Sequence, residues 1–223
     1  MLSQSGFVLR CALYALLGVP LLLMALHTAL RIVRHFHKFP IPEFLANAID
    51  NPLRRRIQPP DETPRRHAIE PGMVVLEVGP GNATYTVATA RAIGPQGRLI
   101  AVDIEPRMIE RVRRRVEKEG LANVEARVAD VYDLPFSDGT FDAIYMTAVI
   151  GEIPSPEKAL NEFHRVLAPS GTLAFSELLM DPDYPRAPSL MRKASAAGFR
   201  MKRREGNLLY YTLVFEKAVR AAA

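Results

Sequence analysis

The hydrophobic positions divide the chain into two patterns. Residues 11–30, CALYALLGVPLLLMALHTAL, form one apolar run without a charge, whereas beyond Pro71-Gly72 short β-branched runs alternate with stretches whose apolar residues recur at helical spacing. The second pattern belongs to a parallel sheet covered by helices on both faces. It predicts strands over 73–78, 98–103, 123–128, 140–147 and 171–177, with helices over 82–93, 106–119 and 156–168. A short helix over 188–197 precedes strands over 199–205 and 207–216, and Gly206-Asn207 between those two predicts a tight turn and an antiparallel hairpin. The expected fold class is therefore α/β, a doubly wound, mostly parallel sheet of seven strands.

The first pattern points to a bilayer. As a helix at about 1.5 Å per residue, Cys11 to Leu30 spans roughly 30 Å, the thickness of a hydrocarbon core. Pro20 and His27 are tolerable in such a helix, so a single transmembrane span is expected. A cleaved signal peptide is the main competitor, but Arg10 is a thin basic flank and no A-x-A site closes the run; a buried core helix is the third reading. Basic residues after the run (Arg31, Arg34, Lys38, Arg54, Arg55, Arg56, Arg65, Arg66) outnumber Arg10 before it, which by the positive-inside rule keeps the C-terminal bulk cytoplasmic. Residues 31–44, RIVRHFHKFPIPEF, interleave cations with Ile32, Phe36, Phe39 and Phe44, a composition suited to the headgroup region; a solvated linker is the alternative. Two short helical pieces are expected around PEFLANAID and DETPRRHAI, separated by NPLRRRIQPP. The chain thus divides into a membrane span over 1–30, a basic amphipathic juxtamembrane and cap segment over 31–70, and an α/β domain over 71–218.

Charge and cysteine content narrow the function. Of 29 basic and 24 acidic residues, nine and five fall in the first 70 positions, so most of the +5 net charge lies outside the α/β region. Nucleic-acid enzymes concentrate basic charge on the folded domain, so no nucleic-acid partner is expected. Cys11 is the sole cysteine; an internal disulfide is impossible and no thiol cluster can hold zinc or an iron–sulfur centre, so no metal is expected. His35 and His37, two apart, share no helical face and read as interfacial rather than as ligands. The cation-rich ERVRRRVEKEG at 110–120 reads as a solvated helix face.

The segment that carries chemistry is Val74-Val75-Leu76-Glu77-Val78-Gly79-Pro80-Gly81-Asn82-Ala83-Thr84, an apolar strand running into a glycine turn that opens a helix. Open α/β sheets bind ligands at the carboxyl ends of such strands. A dinucleotide fingerprint needs glycine or alanine three residues after Gly81, where Thr84 stands, and Glu77 at the strand end repels a pyrophosphate but suits a cationic ligand.

This E-x-G-x-G segment resembles motif I of the class I S-adenosylmethionine-dependent methyltransferases. Leu99-Ile100-Ala101-Val102-Asp103-Ile104 resembles that family's second strand, which implies that Asp103 accepts hydrogen bonds from the ribose hydroxyls and Ile104 lies against adenine. Val128-Ala129-Asp130-Val131 resembles the segment whose acid bonds the adenine amino group. Leu134 to Ile144 is similar to the approach to strand four, and Arg165 to Leu173 to the turn before strand five. The implied cofactor is S-adenosyl-L-methionine, bound by Glu77, Gly79, Gly81, Asn82, Ala83, Asp103, Ile104, Asp130, Val131 and Thr147. One departure is Ala83, where the fuller E-x-G-x-G-x-G form has a third glycine; the extra methyl implies weaker binding at worst. Asp142 and Arg165 read as fold-stabilising groups, and Glu77 has the alternative of orienting the turn.

Methyl transfer is an in-line displacement that rewards placement of a nucleophile at about 3 to 3.5 Å from the methyl carbon. Residues past strands four and five, Thr147 to Glu152 and then Glu177, Asp181 and Tyr184, border that point in the family. Glu152, in an otherwise apolar loop, is the candidate general base, with helix capping or binding of a cationic acceptor as alternatives. Tyr85 is either a contact to the cofactor's carboxylate or a packed aromatic. Little sequence is inserted between strand five and the hairpin, so a lid is expected from residues 31–70, and a lipophilic acceptor is expected to enter from the membrane side. The motifs are similar to the ubiquinone/menaquinone C-methyltransferases and to bacterial phospholipid N-methyltransferases, which implies a quinone precursor or a lipid headgroup as substrate. Arsenite methyltransferases share the domain but need several cysteines. The alternatives are a membrane-tethered RNA or protein methyltransferase, one acting on a soluble small molecule, and a scaffold that binds the cofactor without turnover.

Overall fold

In a computed structural model of the 223-residue chain, residues 4–36 and 51–218 are described. The chain divides into two compact units, Met1–Phe39 and Pro40–Ala223. Helix α1 (Gln4–Phe36) is a single helix of 33 residues that carries Pro20 within it. Over Leu16–Arg34 its mean hydropathy is 1.9, long and apolar enough to cross a membrane by length and composition. The helix continues through Arg31 and Ile32, so the first of the residues read as juxtamembrane extend it.

The second unit begins with α2 (Pro52–Ile57), a 3₁₀ turn (Pro60–Glu62) and α3 (Thr63–Arg66). The expected helix around PEFLANAID lies outside the described residues. Between 51 and 60, where sequence pattern alone suggested a spacer, α2 forms instead. Asn51 accepts the Arg54 amide at 3.0 Å and Pro52 occupies the first helical position, so a cap and a preset φ outweigh the prolines that follow.

Strands β1 (Val74–Val78), β2 (Arg98–Asp103), β3 (Val124–Val128), β4 (Phe141–Thr147), β5 (Leu167–Leu178), β6 (Phe199–Gly206) and β7 (Tyr210–Lys217) form one sheet in the order β3-β2-β1-β4-β5-β7-β6. Strand β7 runs antiparallel to both of its neighbours, and the other pairings are parallel. The crossing helices are α4 (Thr84–Ile93), α5 (Pro106–Lys118), α6 (Pro156–Val166) and α7 (Ala187–Ala196). Alternate residues feed opposite faces: Leu76, Ile144 and Met146 pack with Leu160, Phe163 and Leu190, while Val75, Ala143 and Tyr145 pack with Ala90, Ile93 and Ile69. Helix α6 ends at Val166, two residues earlier than periodicity suggested, because Leu167 leaves helical geometry to pair with Phe141.

Asp142 accepts the Val74 amide at 2.8 Å, and Arg165 bonds Glu162, Asp138 and the carbonyls of Leu134 and Phe136. Both are structural, tying β4 to β1 and α6 to the loop before β4. The strand order reverses between β1 and β4, so the connections after them diverge and leave a crevice at their carboxyl ends.

Candidate active site at the strand carboxyl ends

Three consecutive odd positions of the β1–α4 turn have left-handed backbone: Gly79 at φ +68°, Gly81 at +54° and Ala83 at +59°. A side chain at Gly79 would put its Cβ 2.5 Å from Val149, so the loop after β4 is seated on the turn; a Cβ at Gly81 would meet nothing within 4 Å. Ala83 sits at the amino end of α4 without a side-chain cap and is fully buried, its methyl packed with Ala101 and Val112. That left-handed alanine costs about 1 to 2 kcal/mol, offset by the packing of its methyl. Open space over Gly81 and uncapped amides at the start of α4 make a cradle that a polar ligand can enter without displacing side chains. Asn82 faces sideways, accepting Arg111 of α5 at 2.6 Å.

Acids stand at three adjacent strand ends. Glu77 is buried, and its Oε2 lacks a partner among the described residues. Burial pushes its carboxyl up to about 7, against the Thr86 and Tyr145 hydroxyls, which pull it down. Asp103, ending β2, accepts the Glu105 amide at 2.9 Å; burial raises its pKa, while the amides of Glu105 and Ile104 oppose the rise. Ile104 beside it is 57% exposed, an apolar side chain held at the crevice. Asp130 is exposed and accepts the Tyr132 amide at 2.9 Å, and Val131 packs half-buried against the core. A buried carboxyl with one unpartnered oxygen, an open glycine turn and an exposed Ile104 next to a half-buried acid fit a ligand with a cationic end, a diol and a flat apolar ring, which are features of S-adenosylmethionine.

At the end of β4, Thr147 holds a buried hydroxyl without a partner among the described residues, and Ala148 (φ +57°) turns the chain while its amide bonds Ser176. The loop then reaches Glu152, half-buried. Gly151 is packed so closely on the Asp183 carbonyl that a Cβ would overlap it, which joins this loop to the one after β5. Glu177 in β5 is 1% exposed, and its pKa is driven well up by burial and then by Asp181, with Arg54 opposing and Glu152 and Asp183 adding to the rise. Glu152 and Glu177 therefore belong to one acidic wall.

Residues 51–67 form a strap across these strand ends. The Arg54 guanidinium, 6% exposed, makes two bonds to Asp181 at 3.1 and 3.0 Å; Arg55 reaches Thr84 at 3.4 Å; and Tyr85 donates to the Gln58 carbonyl at 3.2 Å. Tyr85 is thus occupied by the strap rather than standing open. At the strap's far end His67, fully buried, shares a hydrogen bond with Ser176 at 2.7 Å, and Ser176 with Thr212 at 2.8 Å. Sequence reasoning singled out neither Arg54 nor His67 as site residues. The available signal was a capped Asn-Pro helix start carrying three arginines, but no local pattern names their partners.

His67 yields a pH prediction. Burial, and then the charges of Arg66 and Arg203, lower its pKa from 6.5 to about 3. Below pH 6.5 the unfolded chain takes up a proton that the folded chain refuses, so stability from this group is complete above 6.5 and is lost as pH falls towards 3. Its slope is about 1.4 kcal/mol per pH unit. Urea denaturation of wild type and His67→Phe is expected to show their stability difference shifting by about 2 kcal/mol in favour of the variant from pH 6.5 to 4.5. A pH-independent difference would mean that the imidazole is protonated in place.

The family model described as "Methyltransferase domain" matches residues 69–212. The chain is 31% identical over 118 residues to an arsenite methyltransferase of Halobacterium salinarum, covering 53% of this chain and 30% of that protein. It is 35% identical over 119 residues to a ubiquinone/menaquinone biosynthesis C-methyltransferase of Hydrogenovibrio crunogenus (51% and 47%), and 29% identical over 141 residues to a demethylmenaquinone methyltransferase of Geobacillus kaustophilus (63% and 60%). It spans less than two thirds of the length of each of these relatives. Among solved structures, a SAM-dependent methyltransferase from Aquifex aeolicus superposes with a TM-score of 0.74 at 24% identity, covering 79% of this chain and 98% of that one. The [4+2]-cyclase SpnF superposes at 0.65 with 19% identity, covering 73% and 80%. Those likenesses establish the fold, and the cyclase illustrates that the fold by itself does not fix the reaction.

Proposed function

Because the chain belongs to the methyltransferase domain family, we propose that it is an S-adenosylmethionine-dependent methyltransferase, anchored in a membrane by α1 and acting on a lipophilic small molecule, a quinone precursor or a lipid headgroup. The observation that carries the reading is the arrangement of Glu77, Asp103 and Asp130 at three neighbouring strand ends around the open turn at Gly81. Bound there, S-adenosylmethionine supplies an electrophilic methyl group. Glu77 offers its orphaned oxygen to a cationic group, Asp103 to a diol, and Asp130 and Ile104 flank a base. Gly79, Gly81, Asn82 and Ala83 form the turn beneath, and Val131 and Thr147 border it on either side.

The chain's further work is to exclude water and hold the acceptor in line, which can be worth roughly 7 to 11 kcal/mol. The strap over residues 51–67, pinned by Arg54 and His67, closes the strand ends. Glu152 is the proposed base; a positioned base adds about 10² to 10⁴-fold where the acceptor must lose a proton. Support for a lipophilic acceptor comes from α1 and from the quinone-related relatives. The bulk of the chain would then face the cytoplasm.

The test incubates full-length protein with methyl-labelled S-adenosylmethionine and a total lipid extract, against an Asp103→Ala control. Label in the organic phase, absent from the control, is the expected result. Label confined to the aqueous phase with cofactor binding intact would sink the lipophilic acceptor.

A further inference from the structure

Beyond the crevice, the same end of the sheet carries an apolar tip that nothing among the described residues covers. The loop joining β6 to β7 exposes Leu208 at 89% and Leu209 at 55%, and the Leu209 carbonyl accepts the amide of Leu179 at 2.7 Å, which brings Met180, 57% exposed, beside it. Arg54 ties the next residue, Asp181, to α2, where Leu53 is 53% exposed. A hairpin tip has no need of two adjacent leucines: the turn is made by Asn207, whose Oδ1 accepts the amides of Leu209 and Tyr210. A surface of this kind marks a binding face rather than a packing accident.

Its surroundings select the occupant. Arg204 is exposed near the end of β6, and Arg56 is exposed on α2. The neighbouring acids are already engaged, Asp181 by Arg54 and Glu205 by Arg65 and Arg203. Exposed leucines accompanied by cations suit a bilayer bearing anionic headgroups, where apolar side chains enter the acyl boundary and cations stay among phosphates. The chain itself carries a helix of bilayer-crossing length, with fourteen residues between its end at Phe36 and Asn51 in sequence. We propose that the β6–β7 tip, with Leu53 and Met180, is a membrane-docking surface for anionic lipid that turns the carboxyl ends of the strands toward the bilayer. It deepens the membrane-anchored reading above and rests on it. The crevice at the strand ends then faces the phase in which a lipophilic acceptor is dissolved.

The chain contains no tryptophan, so Leu208→Trp provides a single reporter at the tip, and Ala122→Trp one at the opposite, amino end of the sheet. Each full-length variant is reconstituted into vesicles of phosphatidylcholine and phosphatidylglycerol, with and without brominated acyl chains, and flotation is measured on the same samples. The expected result is flotation of both, with a blue shift and loss of most emission to bromolipid in the Leu208→Trp variant only. Flotation without quenching at the tip overturns the docking surface and leaves the anchor standing. A blue shift that grows with protein concentration but ignores bromolipid assigns the tip to a second copy, which also overturns it. If neither variant floats, the membrane-anchored reading fails and the docking surface with it, whereas methyl transfer to soluble acceptors is read separately.

Discussion

Replacing Asp103 with alanine is expected to weaken S-adenosylmethionine binding by about 1.5 to 3 kcal/mol, roughly 12- to 160-fold, the worth of charged hydrogen bonds lost from a half-buried site. The acid ends β2 at the crevice, where Glu105's amide fixes Oδ1 and the exposed Ile104 follows. Its pKa is raised by burial, so the carboxylate costs the folded state something that a ligand donating hydrogen bonds repays. For that reason the variant should melt no lower than wild type while binding less, a separation that a simple packing defect cannot produce. Isothermal titration with the cofactor, beside thermal denaturation of the free protein, reads both quantities. Unchanged affinity would mean that the diol is held elsewhere.

The second large effect concerns the strap. Truncating Arg54 to alanine leaves Asp181, 18% exposed, facing Glu177 and the other acids of the wall without the guanidinium that now bonds it twice, and breaking a buried pair from one side costs about 3 to 5 kcal/mol. In a domain of this size that corresponds to a fall in Tm of roughly 6 to 20 °C. Removal of both charges in Arg54→Met with Asp181→Leu is expected to recover most of the loss, because the penalty lies in the uncompensated charge rather than in the pair's net worth. Arg54 also restrains the Glu177 carboxyl, so the single variant should push that group further up. Denaturant melts of Arg54→Met, Asp181→Leu and the double variant close the cycle. Equal losses in all three would mean that the pair contributes by packing alone.

Much of the candidate site's local geometry was legible in the sequence because the information there is local. A run of β-branched residues ending in Glu77, a glycine turn, and acids placed one strand and one helix apart fix a strand–turn–helix and the ends at which ligands gather. The antiparallel hairpin was equally legible from two short runs broken at Gly206-Asn207, although the turn itself occupies Asn207 to Leu209 and Gly206 remains in β6. Helix α2 escaped because its prolines and arginines read as spacer, even though Asn51-Pro52 is a helix start in its own right.

Local pattern thus determined the α/β class, the order of strands and helices, the glycine cradle and the apolar helix at the amino end. Only the tertiary structure decided what stands over the cradle. Arg54 meets Asp181 across 127 positions, His67 meets Ser176 across 109, and Gly151 is pressed on Asp183 by the packing of two loops. The reason is that periodicity and capping act within a few residues, whereas the partner of a buried charge is set by which strand ends the folded sheet brings together; no spacing in the chain encodes that meeting until burial makes an unpaired charge too costly to leave.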